Sequence, residues 1–448
     1  MLRSIGLLTI MLLIANPASG LPQGVLSAPP LPQPPDPIEA GMGNLHQGLY
    51  SQAEEMFRSV ASRSPDDPEA RLFIAYSLYW RILEEPKNRD RDDAFMAAID
   101  EVEAVGDRRL EKVPDDLHAM AMVGAAHVLR AHIEALRHSY FHGAQEARRG
   151  KKLLEAALLG APGMKDALFL LGTFNYYADR VPAVVKGIRA LLFLPGGDAE
   201  LGMAQLRAVA NSPTRFRTDA RMILAAICGS REERCYTDAL AHLHLALQDD
   251  PDSPIILGWL AAMQTRLGAY GEAASTLVHA VEVCRGEDPD RVRQRRRLRI
   301  FQAEALVGDW RMDEAEAALR AAGAEGGLLP EVDRQSLSRV ESELAFKRLG
   351  ASNKALAHFM AGRVAFLAGR YGEAESELAI SAGLIEDPPA WMEGWTELYR
   401  GLAQNHLGNE REARAHFRRA SEVRKFRAAD RALQEMRRSE PASGYCTP

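Results

Sequence analysis

The chain has 448 residues, of which 47% are hydrophobic and 26% charged. That length and that apolar fraction exclude an intrinsically disordered chain and suit either several domains or one long repeating array. A formal net charge of −6 excludes a generally basic surface for nucleic acid, and four cysteines exclude a disulfide-dense scaffold.

Met1 to Gly20 carries Arg3, an uncharged run of 11 residues from Ile5 to Ala15, and then Ala18-Ser19-Gly20. This predicts a secretory signal peptide cleaved after Gly20, its apolar run too short to span a bilayer. The expected product is exported, periplasmic or extracellular, without a transmembrane span, and carries −7 once Arg3 is removed. Residues 21–38 hold seven prolines and read as an extended linker.

From residue 39 to 437, helix-forming Ala, Leu, Glu and Arg dominate, and the fold class is all-α. Residues 39–210 form the irregular half. A small residue, a large one four later and a small one three after that occur at Ala53, Phe57 and Val60, following Gly48-Leu49-Tyr50. The charged run from Glu84 to Asp93 reads as a solvated loop, and a long helix is predicted from about Ala94 to Val113. Ser139 to Arg149 is expected to separate the helix around Val123 from its partner, where Gly150, Leu154 and Ala157 repeat the pattern. Gly172 to Ala210 departs most. Pro182 ends a helix, an extra apolar helix spans 183–194, and Asp198 is placed to cap the next. The extra helix reads as buried, with contact to a membrane surface as the rival reading.

The second half, residues 211–437, is more regular. Ala239, Leu243 and Ala246 precede Ala273, Leu277 and Ala280 by 34 residues; Ala315, Leu319 and Ala322, then Ala374, Leu378 and Ser381, then Ala413, Phe417 and Ala420 follow. The clearest unit, Pro254 to Glu287, places Leu257, Leu260, Ala261 and Gln264 on one helical stripe and Ala273, Leu277 and Ala280 on another. Gly268 lies between, where a left-handed residue ends the first helix. One such pair cannot bury its own apolar face, so neighbours must stack. Residues 438–448 read as a flexible tail.

These positions and the 34-residue period resemble the tetratricopeptide repeat. The resemblance implies a right-handed superhelical solenoid of antiparallel helix pairs, with irregular insertions in its N-terminal half, that acts as an interaction scaffold. The block from Gly172 to Ala210 is similar to one in exported bacterial tetratricopeptide proteins of uncertain function. It also faintly resembles a eukaryotic tetratricopeptide family associated with mitochondrial surfaces and inclusion clearance. In the superfamily the first helix of each pair lines a concave groove. The groove residues this implies are Trp259, Phe359, Phe366, Trp395 and Tyr399 in the regular half. Leu72, Phe73, Tyr76, Tyr79, Trp80, Phe169, Tyr176 and Tyr177 are nominated in the other half, with core packing as the rival reading. The expected partner is a protein or peptide, with envelope assembly as one setting; a small apolar ligand in the same groove is the alternative.

An enzyme is not the expected reading; the alternative, a metal-dependent one, would need a metal or hydrolytic centre on the inserted blocks. His138 and His142 are four apart with His132 and Glu134 nearby, but no HExxH accompanies them, and no metal or other cofactor is expected. Pro195-Gly196-Gly197-Asp198 lacks the spacing of a phosphate loop. Cys228 and Cys235 flank a short helix connection, and a disulfide there is expected over two buried thiols. Arg291, Arg293, Arg295, Arg296, Arg297 and Arg299 read as a solvated helix face or as a site for an acidic partner or anionic surface.

Overall fold

The computed structural model describes residues 36–180, 196–230, 233, 235–326, 329–348, 354–384, 388–424, 426 and 428–438. The expected signal peptide, nearly all of the linker, the extra helix at 183–194 and the tail beyond 438 lie outside them. The chain divides into a unit ending at Asp36 and one beginning at Pro37. All that follows belongs to the second.

Among the described residues there are twenty α-helices and no strand. Seven antiparallel pairs come first. They are α1 (Pro37–His46) with α2 (Tyr50–Arg63), α3 (Glu69–Glu84) with α4 (Asp92–Lys112), α5 (Leu117–Leu136) with α6 (Tyr140–Gly160), α7 (Lys165–Asp179) with α8 (Ala199–Ala210), α9 (Arg217–Cys228) with α10 (Tyr236–Asp249), α11 (Pro254–Arg266) with α12 (Tyr270–Val283), and α13 (Pro289–Gly308) with α14 (Met312–Ala324). A single helix, α15 (Glu331–Arg348), packs chiefly on α13. Two more pairs follow, α16 (Lys354–Leu367) with α17 (Tyr371–Gly383) and α18 (Ala390–His406) with α19 (Glu410–Glu422), before α20 (Ala429–Arg438) closes the array.

The recurring small-large-small positions all fall on the second helix of a pair. Ala53, Ala157, Ala239, Ala246, Ala273, Ala280 and Ala374 have no exposed surface, nor do Phe57, Leu154, Leu277 and Leu378 between them. A side chain longer than methyl at the small positions would hold the helices apart, so their sizes set the spacing of each pair. Val60 and Leu319 are only half-buried, so the pattern marks the seam without sealing it at every position. The array is a repeat of antiparallel helix pairs.

Among the described residues, six of the nine pairs share one turn geometry. Gly48, Gly268, Gly369 and Gly408 each stand two residues before the second helix with φ between 73° and 82°. His138 and Trp310 occupy the corresponding place before α6 and α14 with φ of 65°. One expectation changes as a result. Ser139–Arg149 is no separator, because α6 begins at Tyr140 and both helices of that pair are long. A left-handed residue with a Cβ is strained by about 1–2 kcal/mol. His138→Gly is therefore expected to stabilise the protein by about 1 kcal/mol in urea denaturation, part of the gain being offset by glycine's larger unfolded entropy. A destabilised variant would show that the contact of His138 Nδ1 with the Tyr140 hydroxyl, 2.9 Å, outweighs the strain.

The charged run from Glu84 to Asp93 also departs from the solvated-loop reading. Glu84 and Asp92 lie within α3 and α4, and Arg137 ties the connection down through Asp92 and the Asn88 carbonyl at 2.6 and 2.9 Å. Asp198 caps α8 as expected, accepting from the Leu201 amide at 2.9 Å.

An aromatic ladder crosses the first half. Phe57 packs on Phe73 at 5.5 Å, Phe73 on Phe216 at 5.8 Å, and Phe216 on Phe169 at 4.6 Å between centroids. In the second half Lys347 lies over Trp310 and Trp391 at 4.2 and 4.5 Å and donates to the Val307 carbonyl at 2.7 Å. Phe359 stacks on Trp310 beside this cation.

Candidate binding channel

The first helices of the early pairs turn toward one another, and sequence-distant contacts hold them in place. Asp219, 1% exposed on α9, accepts from the Tyr76 hydroxyl of α3 at 2.6 Å and pairs with His46 Nε2 of α1 at 3.0 Å. Gln47 donates to Asp250 at 2.7 Å, and the Ser253 hydroxyl donates to the His46 carbonyl at 2.6 Å. Arg81 of α3 reaches Asp290 of α13 at 3.1 Å, and Glu84 lies 3.9 Å from Arg297. The beginning of the array is thus joined to α9, α11 and α13.

Burial and pairing oppose each other in these groups. Burial pushes the His46 imidazole down, and the Asp219 carboxylate more than reverses it, leaving the pKa raised. Burial and then the same carboxylate hold the Tyr76 hydroxyl well above its usual value. Burial raises Glu84 and Asp333, opposed in each case by Arg297. His132 is lowered by burial, which keeps the ring neutral at pH 7.

This closure encloses a cavity of ≈ 610 Å³. Tyr76, Tyr79 and Trp80 come from α3, His132 from α5, Tyr177 from α7, Met222 from α9, Trp259 from α11 and Phe301 from α13. First helices supply almost the whole wall. Tyr76 and Tyr79 are stacked 5.9 Å apart; the Tyr79 hydroxyl meets His132 Nδ1 at 2.6 Å, and the His132 ring stacks on Tyr177 at 6.4 Å. Trp259 and Tyr177 keep 38% and 45% of their surface exposed, whereas Tyr76 keeps 5%. The first two are open to a ligand, and the third is mainly structural.

Five nominated residues line this channel: Tyr76, Tyr79, Trp80, Tyr177 and Trp259. The other eight do not, and of these Leu72 is buried in the core. Phe73 and Phe169 belong to the aromatic ladder, both stacked on Phe216, and each is 2% exposed. Tyr176 is buried and donates to Glu233 at 3.1 Å. Phe359 is 1% exposed beneath Trp310 and Trp391. Tyr399 joins a separate cluster with Phe366 and Trp395, each 5.2 Å away. Asp219, Glu84 and Phe301 line the cavity and His46 braces Asp219, and the groove register missed all four.

Cys228 and Cys235 are both buried, with their sulfurs within 4.8 Å of each other and the Cys235 amide donating to the Cys228 carbonyl at 2.7 Å. One further expectation is corrected. The arginine run is not a freely solvated face. Arg293 reaches Asp290 at 2.5 Å, Arg295 and Arg299 share Glu325 at 2.6 and 3.0 Å, Arg297 holds Asp333 at 3.0 Å, and Arg291 donates to Gln47 at 3.2 Å. Its charges are used inside the array. His138 and His142 sit at the α5–α6 turn, engaged by the hydroxyls of Tyr140 and Ser139. No helix among the described residues is long and apolar enough to cross a membrane.

No family profile and no curated protein matches the chain. Solved structures with a similar helical course include yeast Tom70, 10% identical over 90% of this chain and 94% of that one with a TM-score of 0.26. Another is the human IFIT1 dimer with m7Gppp-AAAA, 14% identical over 84% of this chain and 79% of that one with a TM-score of 0.31.

Proposed function

We propose that the protein is an exported interaction scaffold that holds a segment of another protein in this channel, with envelope assembly as its setting. The observation that supports it most is the convergence of Tyr79, Trp80, Tyr177 and Trp259, from three first helices, on one cavity. Aromatic side chains that are rigid and still partly exposed are the usual anchors of a recognition surface. The signal-like segment before Gly20 supports export; an intact Met1 on protein recovered from its own host would remove that part of the reading.

Trp259→Ala and Tyr177→Ala are expected to weaken capture of the natural partner by about tenfold or more each, the scale of an interface anchor, while leaving stability nearly unchanged. Native mass spectrometry of protein purified from its own host reads this directly. A polypeptide held by the parent and lost from both variants supports the channel, and capture that survives both places the partner elsewhere. The cavity volume also falls in the range of small-molecule pockets, ≈ 610 Å³ against about 300–1,000 Å³, which favours a small apolar ligand as the second reading. A copurified small molecule in place of a polypeptide would establish it.

A further inference from the structure

We infer that Cys228, Cys235 and Asp238 form a binding site for a divalent cation of the zinc class, which pins the connection between α9 and α10. None of the three residues lines the channel.

Cys228 ends α9, Cys235 stands immediately before α10, and Asp238 lies in the first turn of α10. The two sulfurs and a carboxylate oxygen lie within 4.8 Å of one another. A tetrahedral zinc ion, with bonds of about 2.3 Å to sulfur and about 2.0–2.2 Å to oxygen, spaces its ligands by about 3.5–3.8 Å. A small inward movement therefore closes this set around an ion. The cysteines are further apart in sequence than the paired cysteines of zinc fingers, because a helix connection brings them together, tied by the Cys235 amide on the Cys228 carbonyl at 2.7 Å.

The donor set suits such a cation. Thiolates bind zinc-class metals, a carboxylate is a common third ligand, and water completes the shell. Cys228 and Cys235 are 2% and 8% exposed, and Cys228 Sγ makes no hydrogen bond among the described residues. Cys235 sits at the amino end of α10, where the helix dipole favours its thiolate. Charge singles this cluster out. His, Cys, Asp or Glu groups converge in threes at two other places among the described residues, and there arginine already supplies the cation. Arg109 and Arg215 pair with Asp67 and Glu69, and Arg130 and Arg149 with Glu103 and Glu146. Asp238 has no ion pair among the described residues. A disulfide would use the two sulfurs and leave Asp238 idle.

A bound ion fixes more than the connection itself. Glu233 accepts from the Tyr176 hydroxyl of α7 at 3.1 Å, and Tyr236, next to Cys235, donates to Asp430 of α20 at 3.0 Å. The ion thus braces the point at which α7 and α20 meet the α9–α10 pair.

The test uses the full chain, purified under reducing conditions, with zinc and cobalt ions as probes. Competition against a chromophoric zinc chelator should show a tight zinc site, and cobalt should give the thiolate charge-transfer band and intense visible bands of a tetrahedral site. Cys228→Ala and Cys235→Ala should each weaken zinc binding by at least about a hundredfold, more than the loss of an outer-shell partner costs. Asp238→Asn, which keeps the shape of the side chain, should weaken it by about tenfold or more. Cys284→Ala, at a buried thiol elsewhere in the array, should change nothing. Zinc should also raise the Tm of the parent and leave that of Cys228→Ala unmoved. A reduced parent that takes up no zinc, or zinc affinity that survives Asp238→Asn or both cysteine variants, overturns the inference. A Cys228–Cys235 disulfide in protein recovered from its own host overturns it as well, and makes the pair a covalent staple.

Discussion

Asp219→Ala is expected to remove about 3–5 kcal/mol of stability, because it breaks a buried pair and leaves both partners without a counterpart. Asp219 joins residues 143 and 173 positions away, and neither Tyr76 nor His46 has water to fall back on. Urea denaturation reads the loss, and hydrogen exchange locates it, since amides of α1 should lose protection before those of α12. The penalty also depends on pH, with a sign fixed by His46. Its native pKa is raised above the unfolded value of about 6.5, so the ionic part of the pair is fully present below that value and is lost as pH rises through the native pKa. Asp249 and Asp250, which also face His46, act in the same direction. The gap between parent and Asp219→Ala should therefore narrow as pH rises above about 6.5. A loss below about 1 kcal/mol at pH 6, or a gap that widens toward alkaline pH, would show that α1 is held by its apolar residues Ile38, Met42 and Leu45 alone.

The repeat was legible because its signal is local. Ala273, Leu277 and Ala280 need only helical periodicity to be recognised, and the left-handed turn at Gly268 needs only a glycine. His138 and Trp310 escaped because their side chains give no hint of a left-handed backbone. Groove residues were legible in part. Each first helix has one face to its partner and one to the cavity, and Tyr79, Trp80 and Tyr177 show the second. Phe73 and Phe169 do not, because Phe216, which they stack on, comes from the short connection before α9. Asp219 was hidden by a sufficient local explanation, since an acid in the first turn of a helix is favoured by the dipole whatever it touches later. The arginine run misled for a related reason. Six arginines in nine residues suggest exposure, yet their acids lie at Asp290 and Glu325 and, far off, at Glu84 and Asp333, and only the closure brings these together. One recurrent signal went unused. His127 and Glu146, His358 and Glu377, and Glu397 and His416 are each 19 residues apart and meet at 2.6, 2.7 and 2.8 Å across the two helices of a pair.

Phe216→Ala is expected to be about as severe, a loss of about 3–5 kcal/mol, and for a different reason. The ring is 3% exposed and is shared by three others. It stacks on Phe169 of α7 at 10° and on Phe73 of α3 at 22°, and it meets Tyr76 edge-on at 5.7 Å. Removing it leaves a void among side chains anchored on separate helices, which cannot all close in, so the cavity term adds to the lost transfer free energy. Phe216→Leu keeps most of the volume and should lose less than half as much, about 1–2 kcal/mol. Tyr76 couples this site to the closure, because its ring rests on Phe216 and its hydroxyl on Asp219. The double variant Phe216→Ala, Asp219→Ala should therefore fall short of additivity by about 0.5–3 kcal/mol. Trp259→Ala serves as the control, since a ring that keeps 38% of its surface exposed should change stability far less. Strict additivity in the double variant would mean that Tyr76 transmits nothing between the ladder and Asp219. The wall of the channel would then be held by two independent supports, and a ligand pressing on Tyr79 and Trp80 would meet only the one made by Asp219.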